Sequence, residues 1–175
     1  QGHEVDQFDF NVECYDIFLT RKYLEYCVDV IEKRLAQPSP TSDDQEVQPV
    51  YRQILSDTDY LESVLSEVED GKSVLRDEKR FFQFPIYKSA YTTLKIAMKL
   101  ISYAHHPSRI DLESFFMKGT PEENLKGIIS ATRDPVSNPF IGIYEDHLLS
   151  RIDWNKYGLL GLSIIHVGQV IPGLT

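Results

Sequence analysis

The segment PIYKSAYTTLKIAMKLISYA, residues 85–104, reads as one amphipathic α-helix. Tyr87, Ala90, Leu94, Ala97, Ile101 and Ala104 recur at alternating spacings of three and four residues, which gathers them on one stripe. Lys88, Lys95 and Lys99 fall outside that stripe and mark the face turned to water. Pro85 suits the first turn, where its missing N–H has no intrahelical partner to lose. An apolar stripe needs others to bury against, so the rest of the chain is read for partners.

Two long candidates lie upstream. From Val12 to Gln37, Ile17, Leu24, Val28, Ile31 and Leu35 keep helical spacing, and Asn11 is placed to cap their start. Pro38 and Pro40 end that run. From Val50 to Asp70, Val50, Ile54, Leu61, Leu65 and Val68 form a second stripe, with Gly71 as its stop. Residues 38–49 between them are rich in Pro, Ser and Asp and read as a flexible loop.

Downstream the expected elements shorten. A brief helix is predicted from Asp111 to Lys118, ended by Gly119. The capping box Thr120-Pro121-Glu122-Glu123 opens another that runs to Ala131. Two more are expected over Gly142–Ile152 and Asn155–Val170, and strand character is confined to residues 139–144. The prediction is therefore an all-α fold. It is a single-domain helical bundle of six to eight helices, with little or no sheet, spanning residues 4–175. Gln1-Gly2-His3 reads as the remnant of a cleaved tag, outside the fold.

Composition narrows the function classes. With 42% hydrophobic and 26% charged residues, the chain has ordinary globular usage rather than that of a disordered one. A net charge of −9 repels phosphate backbones, so nucleic acid is not the expected partner. On one helix, Cys14 and Cys27 would lie roughly 20 Å apart along the axis, far beyond disulfide reach. Free thiols point to a reducing, cytoplasmic setting, and neither cysteine belongs to a C-x-x-C pair that would suggest zinc. No basic and apolar leader is visible at the start, so no secretion signal is read.

Catalytic signatures are sparse. Gly71-Lys72-Ser73 has the end of a phosphate-binding loop, but Ser66 stands where the first glycine is required. No Glu has a His three residues later, the pattern of di-metal bundles, and no Arg precedes a His by four. The densest chemical runs are His105-His106 and Tyr144-Glu145-Asp146-His147 with Arg151. His105, His106, Tyr144, His147 and Arg151 are accordingly the candidates for a hydrolytic or small-ligand pocket between the 85–104 and 142–152 helices. The plainer reading makes the paired histidines a favourable charge at a helix C-terminus and the second run an exposed polar face. No cofactor or metal is expected.

Surface features speak for a partner. Residues 57–70 carry six acids and no base, whereas residues 72–99 carry seven bases against Asp77 and Glu78. Phe81, Phe82 and Phe84 sit beside Lys79 and Arg80; core filling accounts for most of these rings, and one left exposed would anchor an acidic partner. From Tyr157 to Thr175 no residue is charged. That run is read as a central buried helix with His166 in the core. Its rivals are a surface for another subunit and a membrane-docking element over residues 157–175, the latter opposed by four glycines and a proline. The expected function is that of a non-catalytic protein-interaction or regulatory domain, binding another protein or itself.

Overall fold

The computed structural model describes residues 5–37, 42–117, 125–164 and 167–175. The fold is all-α, with one two-stranded hairpin. The helices of seven residues or more among the described residues are α1 (Phe10–Phe18), α2 (Arg21–Ala36), α3 (Ser42–Ser56), α4 (Thr58–Arg76), α6 (Phe84–Ala104) and α7 (Leu125–Ala131). One-turn pieces are α5 (Glu78–Phe81), α8 (Phe140–Ile143) and α9 (Val170–Leu174).

The 85–104 helix is the axis of the molecule. α6 packs most extensively on α4 and next on α2. Leu94, Ala97, Met98 and Ile101 of α6 and Val64, Leu65 and Val68 of α4 share one core with Leu24, Cys27 and Ile31 of α2. Gly71 is not the stop predicted for it. It lies inside α4, where an added Cβ would meet Leu94 Cδ2 at 3.4 Å and Ala90 O at 3.5 Å. The small side chain serves helix approach, and α4 continues for five residues past it.

The predicted helix 12–37 is two helices. Thr20 adopts an extended backbone, and its hydroxyl oxygen accepts from Tyr23 N–H at 3.2 Å, starting α2 afresh. The first helix is capped by Asp9, whose carboxylate accepts from Val12 N–H, rather than by Asn11. Asp57 likewise divides α3 from α4. Residues 42–49 of the expected loop form the first turns of α3, with Pro49 inside it; residues 38–41 lie outside the described residues.

Where a helix was expected at 111–118, strand β1 (Ser108–Ile110) instead pairs antiparallel with β2 (Phe115–Met117), Ile110 opposite Phe115. The Asp111 carboxylate accepts from the N–H groups of Glu113 and Ser114 at 2.8 and 2.7 Å, closing a turn no helix could use. Phe115 and Met117 then point inward and Phe116 outward, the period-two pattern of a half-buried strand. The capping box at 120–123, with Lys118 and Gly119, lies outside the described residues.

The 142–152 element is helical but irregular: α8 runs into a π-turn at Tyr144–Leu148 and a 3-10 turn at Leu149–Arg151. Among the described residues the last predicted helix is absent. Between the short turn at Trp154–Lys156 and another at Val167–Gln169, residues 157–164 carry no regular structure. Leu159, Leu160 and Leu162 are 89%, 65% and 63% exposed, so this stretch is not a central helix. Gly158 and Gly161 fall in its interior and oppose helix formation by about 1 kcal/mol each. His166 lies outside the described residues. Among the described residues, no helix is long and apolar enough to cross a membrane.

Candidate functional site

The two histidine clusters do not meet. His105 caps the end of α6 and is buried. Its Nδ1 lies 3.1 Å from the Val136 carbonyl and its Nε2 lies 3.1 Å from the Tyr23 hydroxyl. A carbonyl can only accept, so Nδ1 carries the proton and Nε2 accepts from Tyr23 O–H. Burial pushes the imidazole down to about 4, against the Val136 hydrogen bond and with help from Arg34. A neutral imidazole with both nitrogens engaged by the fold serves as a structural bridge between α2 and the loop before α8. The neighbouring His106 carbonyl accepts from Arg34 at 3.1 Å.

The second cluster disperses as well. The Tyr144 hydroxyl donates to Pro172 O at 2.8 Å, fastening the π-turn to the C-terminal turn. Burial raises its phenol, as does the neighbouring Cys14 thiol. That thiol is itself pushed up to about 12 by burial, so a Cys14 thiolate is not available near neutrality. His147 is exposed, and Arg151 is engaged with Glu13 of α1. The change from π-turn to 3-10 turn between His147 and Arg151 breaks the α-helical pitch that would align them four residues apart. A half-open cleft of about 400 Å³ is lined by Thr132, Arg133, Tyr144, Glu145, Leu149 and Thr175. Of the five catalytic candidates it contains Tyr144 alone. Among the described residues, no three His, Cys, Asp or Glu side chains converge as they would around a metal ion.

The phenylalanine corner is the opposite case. Core filling was expected to claim most of these rings, yet Phe81, Phe82 and Phe84 are 40%, 82% and 68% exposed. The corner exists because Asp77 ends α4 and at once caps α5, accepting from Lys79 and Arg80 N–H at 2.8 and 2.9 Å. Arg80 then reaches back to Asp70 with two contacts of 2.9 and 2.6 Å, fixing α5 against α4. That pair holds the Asp70 carboxyl below its ordinary range. Pro85 restarts the chain as α6, and the turn between cannot bury its rings.

From this corner a chain of rings runs onto α6. Phe82 meets Phe81 edge-on at 5.3 Å, and Phe81 meets Tyr87 at 5.2 Å. Tyr87 stacks on Tyr91 at 5.8 Å, and the Lys95 ammonium sits 5.6 Å over the Tyr91 ring. Tyr87, expected on the buried stripe, is half-buried, as is Tyr91, which the stripe does not include. Their four-residue spacing was the signal for this contact. No protein-family model, curated protein or solved structure matches the chain.

Proposed function

We propose that this chain is a non-catalytic interaction domain that docks a protein partner through the Phe81–Phe84 corner. The observation that carries the proposal is the exposure of Phe82 and Phe84 at a corner pinned by Asp77 and by the Arg80–Asp70 pair. Large rings held ready in water are the usual anchors of protein interfaces, since they bury area with little ordering cost. The separation of His105, His147 and Arg151 favours this reading over a hydrolytic pocket. Two buried free cysteines support a reducing, cytoplasmic setting.

Site-specific photo-crosslinking in cells of the source organism tests it. A benzophenone side chain replacing Phe82 is expected to give a discrete adduct of one added mass. The same group replacing the exposed Glu32 of α2 gives none. Equal adducts at both positions, or none at 82, overturn the proposal.

A second reading, self-association through the tail, is favoured by the exposure of Leu159, Leu160 and Leu162. Residues 157–175 are uncharged, so two copies of a chain of net charge −9 meet there without bringing like charges together. A sedimentation coefficient that stays at the monomer value at every concentration removes that reading.

A further inference from the structure

We infer that the partner presents an acidic amphipathic helix, laid along the outer stripe of α6 beyond the phenylalanine corner. The inference rests on the docking reading above and names its chemistry. Phe84, Lys88, Tyr91, Lys95 and Lys99 follow one another at spacings of four, three, four and four, so they share one face of α6. That face lies away from Ala90, Leu94, Ala97 and Ile101, which bury α6. The stripe is therefore continuous with the exposed rings, and all of it but the half-buried Tyr91 is exposed to solvent.

Charge chooses the partner. The chain carries 27 acidic and 18 basic residues, and several of the bases are tied to its own acids. Arg21 meets Glu25 and Glu62, Lys72 and Arg76 meet Asp16, and Arg80 meets Asp70. Lys79, Lys88, Lys95 and Lys99 form no ion pair among the described residues, as is true of Lys22, Lys33, Arg52, Arg109 and Arg133 elsewhere, but only Lys88, Lys95 and Lys99 line up along one stripe of a single helix, next to exposed rings. A positive strip on an acidic protein steers carboxylates to itself and turns most of its own surface away from competing for them.

Spacing chooses the partner's conformation. Lys88 and Lys95 lie about 10 Å apart along the axis, and Lys95 and Lys99 about 6 Å. A helix lying alongside repeats carboxylates at the same seven- and four-residue intervals. An extended strand would cover those distances in about three and two residues, and the odd step turns one carboxylate to the wrong face.

Single-stranded nucleic acid, the other polyanion drawn to rings and lysines, fits less well. It needs open ring faces for its bases. Along α6, Tyr87 and Tyr91 cover one another and Lys95 lies over Tyr91, so open rings are confined to the corner and do not continue along the lysines.

A phage-displayed library of random twenty-residue peptides, panned on the full chain, tests this. Two variants are panned in parallel, Lys88→Glu/Lys95→Glu and Phe82→Ser/Phe84→Ser; all four positions are exposed, and unchanged circular dichroism verifies that both fold. Recovered peptides are expected to carry Asp and Glu at helical spacing with Leu or Phe between them. They become helical on binding, weaken as salt is raised, and bind each variant at least tenfold less tightly. Enrichment of neutral or basic peptides, or no enrichment over an uncoated surface, overturns the inference. So does tight binding of a twenty-nucleotide oligo-thymidine that Lys88→Glu/Lys95→Glu abolishes. If the charge-reversed variant binds like wild type while the ring variant does not, the acidic helix falls and the docking corner stands. If the ring variant binds like wild type, the docking reading falls with it.

Discussion

His105 has one proton on Nδ1 and none on Nε2, because Val136 O can only accept and Tyr23 O–H donates. A second proton would have to displace the Tyr23 hydrogen from Nε2 inside a buried site. The folded imidazole therefore resists protonation until about pH 4, whereas an unfolded histidine takes its proton near 6.5. The native state binds fewer protons between those values. The stability from this group is thus complete above pH 6.5 and drains away as pH falls toward 4. Its full size is about 3 kcal/mol. His105→Gln keeps a donor and an acceptor but cannot titrate. Chemical denaturation should show the variant weaker than wild type by about 1–3 kcal/mol at pH 7.5. At pH 5 that gap should shrink by about 2 kcal/mol, since only wild type loses stability through this site. A gap that stays constant across the range would refute the neutral-bridge account.

At the scale of the helix, the α4–α6 contact turns on Gly71. A Cβ there meets Leu94 Cδ2 and Ala90 O at ordinary van der Waals distance, and α4 is otherwise a regular helix at that point. Gly71→Ala therefore trades backbone freedom in the unfolded chain for a contact the core can accept. It should stabilise by about 0.5–1 kcal/mol. That is a rise of about 2–4 °C in Tm for each kcal/mol at this size. Gly71→Leu should instead push α4 off α6 and destabilise by about 1–3 kcal/mol. A loss on Gly71→Ala as large as on Gly71→Leu would mean the helices already touch too closely for any side chain. This glycine shows where a sequence stops being legible. The α6 stripe was readable because three-and-four spacing has one geometric meaning. A glycine after an apolar run has two, a helix stop or a close approach, and only the partner helix decides. Thr20 and Asp57 divided predicted helices in the same way, since their capping hydrogen bonds leave the apolar periodicity on either side intact. The candidate site drew on the same kind of assumption. Aligning Tyr144, His147 and Arg151 assumed a pitch that the π-turn does not keep.

Across the whole molecule, the uncharged C-terminal run divides into two parts that its composition cannot tell apart. At its start, Lys156 reaches Asp6 at 2.9 Å, Tyr157 hydrogen-bonds the same carboxylate, and Arg151 pairs with Glu13, tying the run's base to the N-terminal segment. At its end, Ile171 is buried in the main core and Asn138 Nδ2 donates to both Ala131 O and Thr175 Oγ1. Between these anchors the leucines stand in water, because glycines at 158 and 161 deny them a helix and nothing nearby offers a sheet. Stability should follow this division and not hydrophobicity. Ile171→Ala removes packed side-chain volume and should lower unfolding free energy by about 2–4 kcal/mol. The triple change Leu159→Ser/Leu160→Ser/Leu162→Ser deletes far more apolar surface, yet should move it by no more than about 0.5 kcal/mol per site, since that surface is wet in both states. Thermal unfolding of dilute protein measures both. Repeating the melt at high concentration then separates a passive tail from a self-associating one, because only in the latter does wild-type Tm rise with concentration while the triple variant's does not. If the triple variant unfolds as easily as Ile171→Ala even in dilute solution, the leucines are inside after all, and the tail is a piece of the core.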